Sequence, residues 1–479
     1  MNEIKKAAIE SVDSMAKLYK EISDEIWDNP ELSLKEYKAT KLYCDVLREN
    51  GFTVTEKLCG IDTAFSGSFG SGKPVIGILG EFDALSGLSQ KANVVSKEAL
   101  THNGDGHGCG HNLLGAGSLA AAFAVKHYLE ESGSEGTVVF YGCPGEEGGS
   151  GKAFMARERL WEGIDAALTW HPSSVNEVRT GTNNSSIQVL YKFKGVAAHA
   201  AGCPEQGRSA LDAVELMNIG VQFLREHMTD DCRIHYAILN AGGFSPNVVQ
   251  AEAEVLYMVR ANKVRQSLEL QKRVDKIAEG AALMTETSFE RVFIDGTAEL
   301  VPNYTLEKQL YRNFEEIGVP QYTVEEIAFA AKLKETFPTD HSVPGIGAAF
   351  DPEIAWQVIE KTGSMTKPLY DFLMPQYSGT GFVAGSSDVG DVSWQTPAAQ
   401  INVVTWPGSM PEHSWQTVAC GKSSIAYKGM LCAGKVLAAT AIDLFEDKEL
   451  LEKAKDEFKK KAASGYVCPI EEGAVPTAL

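Results

Sequence analysis

The sequence has no excess of positive charge, no disulfide-like pattern of cysteines and no long apolar run. Its 479 residues carry 44 Lys and Arg against 64 Asp and Glu, a net charge of −20, and such a field repels nucleic-acid phosphates. Nine cysteines, an odd number scattered along the chain, indicate reduced thiols rather than a disulfide framework. The longest run of small apolar residues, near 118–125, falls far short of the roughly 20 residues that span a membrane. We therefore expect a cytoplasmic protein without a nucleic-acid or membrane partner.

The order of apolar runs predicts an α/β fold. A chain of 479 residues is long enough for two domains. Strand-like and helical patterns alternate, which favours a mostly parallel central sheet covered by helices. The predicted elements are helices at 12–28 and 33–51, a strand at 75–79, a helix at 113–131, a strand at 137–142, a short helix at 155–161, and strands at 166–170 and 400–406.

A segment of about 115 residues in the middle of the chain has a different pattern. Its strands alternate between apolar and polar residues, as antiparallel strands do when one face is buried. The predicted elements are strands at 187–195, 233–239, 253–261 and near 287–294, with helices at 209–227 and near 264–283. This segment predicts an α+β domain inserted into the α/β domain. The predicted division is 1–184 and 301–479 for the outer domain, and 185–300 for the insert.

The segment HNGDGHGCGHNLLGAG at 102–117 concentrates side chains that bind metals. Cys109 and His111 are two residues apart and can reach one ion from a tight loop. The glycines allow the backbone to approach such a site closely. The alternative is a flexible glycine-rich loop with histidines on its surface, but a chain with only ten histidines makes three of them in one loop an unusual concentration. We favour a metal site.

Two adjacent carboxylates, Glu146 and Glu147, follow the strand predicted at 137–142. Neighbouring residues in an extended turn point in different directions, so one carboxylate can bind a metal while the other faces a water molecule. A solvated acidic turn is the alternative. His171 and His413 also follow predicted strands, as Asp83 does, although each alone is a weak signal. Carboxyl ends of parallel strands form the ligand crevice of such sheets, so together these residues predict one site with two metals.

Two glycine-rich segments resemble nucleotide-binding motifs without matching them. In GSFGSGKP at 67–74, Pro74 occupies the place of the Ser or Thr that would bind magnesium, and the segment precedes a strand instead of following one. In GDGHGCG, glycines at every second position do not match the dinucleotide-binding spacing. We therefore do not expect a nucleotide cofactor.

With these motifs in place, the sequence resembles the aminoacylase/carboxypeptidase family of metallopeptidases, in its amidohydrolase branch. The resemblance covers nearly the whole chain, and the Cys-Gly-His and Glu-Glu motifs are highly specific in combination. It implies a zinc-peptidase-like catalytic domain interrupted by a lid or dimerisation domain, which would be the insert. The motifs that carry it are NPELSLKE (29–36), GEFDAL (80–85), HGCGHN (107–112), PGEEGGSG (144–151) and GSSDVGDVSW (385–394).

The resemblance also implies a role for each site residue. The implied ligands of two divalent ions, zinc or manganese, are Cys109, His111, Glu147, His171 and His413. Glu146 would be the general base, and Asp83 would orient a ligand. His199 would polarise the scissile carbonyl from a partner chain, and Asn247 and Arg260 would contact substrate. The sequence departs from the wider family at Glu81, where many members have a metal-binding histidine, and at Cys109, where many have an aspartate.

These expectations define a metal-dependent amidohydrolase that cleaves the amide bond of an N-acyl amino acid. Two alternatives stay open: a dipeptidase of the same family, and a catalytically silent structural subunit of a heterodimer. The retention of Glu146 and the full ligand set argues against the silent subunit. The substrate would be a small amide or a dipeptide, and the protein would form a homodimer or a heterodimer with a related subunit.

Overall fold

A computed structural model describes residues 1–338 and 342–477. Within these residues the chain forms thirteen strands, several of them only two residues long. They are β1 (Thr53–Glu56), β2 (Phe65–Ser71), β3 (Val75–Gly80), β4 (Gly136–Gly142), β5 (Ala166–Ser173), β6 (Glu177–Val178), β7 (Thr182–Asn183), β8 (Ser185–Lys194), β9 (Arg233–Asn240), β10 (Glu252–Ala261), β11 (Ser288–Thr297), β12 (Phe382–Val383) and β13 (Ala398–Val404).

The same described residues form fifteen α-helices, most of which cover the sheets. They are α1 (Glu3–Ser14), α2 (Ala16–Asp28), α3 (Tyr37–Glu49), α4 (His111–Ser132), α5 (Gly151–Arg157), α6 (Ala210–Arg225), α7 (Val264–Thr285), α8 (Tyr304–Ile317), α9 (Val324–Lys334), α10 (Ile346–Phe350), α11 (Pro352–Lys361), α12 (Val389–Ser393), α13 (Trp415–Cys420), α14 (Ser424–Glu446) and α15 (Lys448–Lys461).

The central sheet has seven strands in the order β1-β2-β4-β3-β5-β13-β6. Its four middle strands, β4, β3, β5 and β13, are parallel to one another, whereas β1, β2 and β6 pair antiparallel at the two sides. The middle strands are buried almost throughout, as strands covered on both faces must be. The carboxyl ends of four neighbouring strands therefore open onto one edge of the sheet. The predicted α/β fold is confirmed.

Helices α4 and α14 form the core beside this sheet. Both are rich in small residues, which allows close approach: a Cβ on Gly434 would lie 3.0 Å from the carbonyl oxygen of Gly117. Among the described helices, α14 is long and apolar enough to span a membrane by length and composition, but most of it is buried inside the protein. Its apolar composition is that of a buried core helix. The sequence analysis considered only the apolar run near 118–125 and did not identify α14.

The segment between β8 and β11 forms a second sheet with its own core. The strand order is β11-β8-β10-β9, and neighbouring strands are antiparallel. Helices α6 and α7 pack against this sheet, and alternate residues of β8 and β10 are buried beneath them. Strand β9 forms an edge of the sheet, and most of its residues are exposed. We call this unit the lid.

Several predicted elements differ in detail from the structure. The first predicted helix is two helices, because the chain turns at Met15 between α1 and α2. The helix predicted from Ser33 begins only at Tyr37, after an irregular turn in which Leu34 has a positive φ of 62°. The antiparallel strands β1 and β2 were not predicted, because β1 has only four residues and is mostly exposed, and β2 is rich in serine and glycine.

Candidate metal centre

Loops at the carboxyl ends of the four middle strands bring the candidate metal-binding side chains together. Glu81 and Asp83 follow β3, and Glu146 and Glu147 follow β4. His171 lies within β5, two residues before its end, rather than beyond the strand as the sequence predicted. Further candidate ligands lie in the loop before α4, which contains Cys109, and in the loop after β13, which contains His413. Each neighbouring strand thus contributes to one crevice.

The first potential ligand group consists of Cys109, His111 and His171. Their candidate ligand atoms all lie within 4.8 Å of one another, and Cys109 Sγ is 3.4 Å from His171 Nε2. One thiolate with two imidazoles is a donor set that suits zinc and other borderline-soft ions. This group is able to hold one ion.

The second potential group consists of Cys109, Glu147 and His413, again with all ligand atoms within 4.8 Å. His413 Nε2 lies 3.5 Å from Glu147 Oε1. Cys109 belongs to both groups, so both would share this residue if each held an ion, and two neighbouring ions would supply the chemistry of two-metal hydrolytic sites. A third combination, Glu81 with His111 and Glu146, satisfies the same distance criterion.

Hydrogen bonds orient the histidines toward the crevice. His111 Nδ1 lies 2.8 Å from Asp83 Oδ1, and His171 Nδ1 lies 2.7 Å from the carbonyl oxygen of Pro172. A histidine that donates from Nδ1 presents Nε2 as the ligand atom, and a carboxylate partner strengthens that ligand. Asp83 is itself fixed by Ser33 Oγ at 2.8 Å and by the backbone N–H of Glu147 at 2.9 Å. Asp83 therefore lies behind His111, where the sequence predicted an orienting residue.

Glycine makes the compact loop before α4 possible. Gly110 has a φ of +76°, and a Cβ at this position would lie 3.0 Å from Pro172 Cβ and 3.1 Å from the Trp406 ring. Only glycine combines this left-handed backbone with so close an approach. The turn sets Cys109 and His111 on the same side of the loop, against β5. His107 in the same loop is not part of a ligand group, since its Nε2 lies 3.1 Å from the carbonyl oxygen of Ile26.

Unpartnered buried atoms in the cluster fit divalent cations. His111 Nε2 and Glu147 Oε1 are buried without a hydrogen-bond partner in the part of the chain that the structure describes. Burial opposes the charge of His111, yet the hydrogen bond to Asp83 and the nearby carboxylates raise its pKa to about 10. These surroundings favour a positive charge at this position. Two buried potential ligand atoms that lack a hydrogen-bond partner, within a cluster of negatively charged side chains, are what a metal site requires.

Glu146 lies beside the ligand groups and lines the same cavity. Burial, together with the carboxylates of Glu81 and Glu147, raises the pKa of Glu146 well above its usual value. A carboxylate that takes a proton more readily than usual is suited to general-base chemistry. The role of general base, which the family resemblance implies for Glu146, stays a prediction.

A buried lysine next to the potential ligands forms ion pairs that the sequence did not predict. Lys152, at the start of α5, is fully buried, and its Nζ lies 2.8 Å from Glu81 Oε1 and 2.6 Å from Asp388 Oδ1. Glu81 in turn approaches His111, with 3.4 Å between Oε2 and Nε2. Lys152 thus neutralises the carboxylate at the position where many family members have a histidine. The only sequence signal was the segment GSSDVGDVSW, which contains Asp388.

The cluster opens into a cavity of about 300 Å³ between the central sheet and the lid. Arg260, near the end of β10, lines this cavity, and its contact with substrate stays a prediction. The structure does not bring His199 and Asn247 into it: both are exposed on the lid surface, where Ala200 N donates to the carbonyl oxygen of Asn247 at 2.9 Å. Arg179 also lines the cavity, and no motif in the sequence pointed to it.

Comparison with known proteins agrees with this arrangement. Residues 77–410 match the model of peptidase family M20/M25/M40, and the chain belongs to this family. It is 44% identical over 483 residues to one of the subunits of p-aminobenzoyl-glutamate hydrolase from Escherichia coli (strain K12), with all of both chains covered. It is 26% identical to the Xaa-Arg dipeptidase of Mus musculus, over 96% of this chain and 93% of that one.

The fold also matches solved structures. A dinuclear metal-binding peptidase of the M20 family from Bacillus subtilis superimposes with a TM-score of 0.53 at 16% identity, covering 91% of this chain and 99% of that one. Family membership, together with these hydrolase relatives, identifies the chain as a hydrolytic enzyme that acts on amide bonds.

Proposed function

We propose that this enzyme hydrolyses the amide bond of an N-acyl amino acid, with a p-aminobenzoyl-glutamate-like conjugate as substrate. The observation that carries the proposal is the pair of potential ligand groups that share Cys109, with Glu146 in the same cavity. The 44% identity over the full length to one chain of a p-aminobenzoyl-glutamate hydrolase supports this choice of acyl and amino-acid groups.

Two divalent ions, zinc or manganese, would be held by Cys109, His111, Glu147, His171 and His413. A thiolate favours zinc, whereas a mixed set of nitrogen and oxygen ligands also accepts manganese. When bound, such ions lower the pKa of water and polarise a carbonyl group.

The side chains of the protein supply the remaining chemistry. Glu146 takes the proton of the attacking water and delivers it to the leaving amine, which needs a carboxylate with a raised pKa. Asp83 holds the ring of His111 in the orientation that presents Nε2. His199 would donate a hydrogen bond to the oxygen of the scissile carbonyl as negative charge develops on it.

His199 can do so only from another chain, because it is exposed and does not line the cavity of its own chain. Its Nδ1 accepts from the backbone N–H groups of Ala201 at 3.2 Å and Gly202 at 3.1 Å. A neutral imidazole that accepts at Nδ1 carries its proton on Nε2. His199 Nε2 is therefore the donor that an oxyanion requires.

The lid offers a surface for that second chain, either a further copy or a related subunit. Tyr236, Ile238 and Leu239 on the edge strand β9 are each more than 40% exposed, and Phe244 in the next loop is fully exposed. An apolar sheet edge without a partner is a template for pairing with another strand. Dimerisation here would bury these side chains and carry His199 and Asn247 toward a neighbouring cavity.

We also propose a cytoplasmic location. All nine cysteines are free, and five of them are buried in the cores outside the metal cluster. Unpaired thiols are typical of a reducing compartment.

The direct test is hydrolysis by the purified protein after loading with zinc or manganese. Release of p-aminobenzoate from p-aminobenzoyl-glutamate, measured by chromatography, is the expected result, and Glu146→Gln is the control that should be inactive with its metals bound. The 26% identity to an Xaa-Arg dipeptidase makes Xaa-Arg dipeptides the comparison substrates. Faster cleavage of these would favour the dipeptidase, and a metal-loaded protein that cleaves neither would favour a silent subunit.

A further inference from the structure

Two arginines line the cavity next to the metal cluster, one from each sheet. Arg260 comes from strand β10 of the lid, and Arg179 follows the short strand β6 at the side of the central sheet. Apart from the metal cluster and Glu81, the charged residues among the described lining residues are these two arginines and Glu412. The cavity therefore carries two cationic side chains in addition to its potential metal ligands.

The register of the central sheet fixes Arg179 relative to the cluster. On β13, Asn402 pairs with His171 of β5 on one side and with Glu177 of β6 on the other. Gln400 lies two residues before Asn402 on β13, and its carbonyl oxygen accepts from the backbone N–H of Arg179 at 3.0 Å. Two strand spacings and a two-residue offset separate the Cα atoms of Arg179 and His171 by roughly 12 Å. One amino-acid residue of a substrate, with the long arginine side chain, spans this distance.

Neither arginine forms an ion pair with a carboxylate of the part of the chain that the structure describes. The adjacent Glu177 uses Oε1 to accept from Asn402 Nδ2 at 2.9 Å and Oε2 to accept from the backbone N–H of Ile346 at 3.0 Å. Over residues 1–338 and 342–477, the guanidinium of Arg179 makes no hydrogen bond or ion pair, although it is half-buried. The guanidinium of Arg260 has only neutral hydrogen-bond partners, Met258 Sδ at 3.1 Å and Ser386 Oγ at 3.2 Å.

Unpaired guanidinium groups in a partly desolvated cavity are costly unless a ligand supplies the opposite charge. A guanidinium matches a carboxylate through two parallel hydrogen bonds. Two such groups beside one hydrolytic centre match a leaving group with two carboxylates, one on the α-carbon and one on the side chain. A single carboxylate would leave one of the two arginines without a partner.

We propose that Arg179 binds the side-chain carboxylate of an acidic amino acid in the leaving group, while Arg260 binds its α-carboxylate. Arg179 is then the residue that selects glutamate over glutamine. This inference rests on the proposed function, since it concerns the amino-acid half of that substrate.

The test compares p-aminobenzoyl-L-glutamate with p-aminobenzoyl-L-glutamine, which have nearly the same shape and differ in one charge. The metal-loaded wild-type enzyme should prefer the glutamate conjugate roughly 10- to 100-fold in kcat/KM, the range for a charge-assisted hydrogen bond left unpaired. Arg179→Met should abolish this preference, and its kcat/KM for the glutamine conjugate should lie within a few-fold of the wild-type value. Arg179→Lys, which keeps the charge, should retain part of the preference. The matched control, Arg260→Met, should lower kcat/KM for both conjugates alike.

Binding gives a second readout that does not depend on turnover. In the Glu146→Gln background, calorimetry should show tighter binding of the glutamate conjugate, and the difference should disappear when Arg179→Met is added. A folded Arg179→Met protein that still prefers the glutamate conjugate would overturn the role of Arg179. An equal loss of affinity for both conjugates would overturn it as well. Failure of the wild-type enzyme to cleave either conjugate would instead refute the proposed function, while the binding experiment still reports whether Arg179 recognises the carboxylate.

Discussion

Replacing Lys152 by methionine should destabilise the protein more than the same replacement of any exposed lysine. Its ammonium group is fully buried between the carboxylates of Glu81 and Asp388, at 2.8 Å and 2.6 Å. Methionine has a similar length but no charge, so two buried carboxylates would face each other without a cation. Removing one partner of a buried ion pair typically costs about 3–5 kcal/mol, because the remaining charge stays desolvated.

The size of the effect on thermal unfolding follows from the chain length. At about 2.1 cal/mol/K per residue, unfolding all 479 residues together carries an entropy of about 1 kcal/mol/K. A loss of 3–5 kcal/mol therefore lowers Tm by roughly 3–5 °C, measurable by calorimetry. Lys17→Met is the matched control: Lys17 is 88% exposed and 3.6 Å from Glu21, and such surface pairs contribute about 0–1 kcal/mol.

The destabilisation by Lys152→Met should grow as the pH rises. Burial raises the pKa of Asp388 to about 6 even with Lys152 present, and without the lysine it rises further. The pKa of Glu81, which Lys152 and His111 hold below its usual value against the effect of burial, rises as well. The folded variant then holds protons that the unfolded chain releases, so its stability falls with increasing pH. The deficit should be smaller at pH 5 than at pH 8. Adding Asp388→Asn should recover part of the loss, and a Tm unchanged by Lys152→Met at pH 8 would refute this account.

Three further predictions concern the catalytic centre. Glu146→Gln should keep its metals but lose roughly 10²–10⁴-fold in kcat, because an amide cannot take the proton; a wild-type kcat would show that another group is the base. Cys109→Ser should lose metal, measured by elemental analysis after dialysis, together with activity, and alkylation of Cys109 should be blocked in metal-loaded wild type; full metal content in the variant would exclude ligation. His199→Ala should lose activity equivalent to about 3 kcal/mol of transition-state stabilisation while keeping its metals and its oligomeric state. Mixing it with Glu146→Gln under conditions of subunit exchange should restore part of the activity, and a mixture that stays inactive despite proven exchange would show that His199 does not act across the interface.

The metal cluster was predictable because its signals are local. Cys109 and His111 occur in one glycine-rich loop, and Glu146 and Glu147 are adjacent. Predicted strands precede the segments that carry most of the cluster, and parallel strands end at the same edge of a sheet, which brings distant segments together without knowledge of their order. The exact end of β5 was not predictable, since Ser173 continues the strand through pairing with Val404 of β13.

The residues that sequence reasoning missed depend on contacts between distant parts of the chain. Lys152 and Asp388 are 236 positions apart, and each alone resembles an ordinary charged surface residue. Arg179 follows a strand of only two residues, whose pairing with β13 depends on the sheet order. Similarly, the break at Met15 is invisible in the apolar spacing, because both helices continue the same buried face.

The potential metal ligands and the two arginines of the cavity are specified in different ways. Cys109 and the other potential ligands are held by backbone turns of the central sheet, and this arrangement is independent of the acyl group or amino acid. The two arginines come from different units: Arg179 follows β6 at the antiparallel side of the central sheet, and Arg260 lies on β10 of the lid. Among residues 1–338 and 342–477, the hydrogen bond from the guanidinium of Arg260 to Ser386 Oγ, at 3.2 Å, is the only one that links this side chain to the catalytic unit. A family can thus keep its hydrolytic chemistry while its substrates diverge. We expect substitutions at 179 and 260 to change the substrate without changing metal content, whereas substitutions at Cys109 should remove activity toward every substrate.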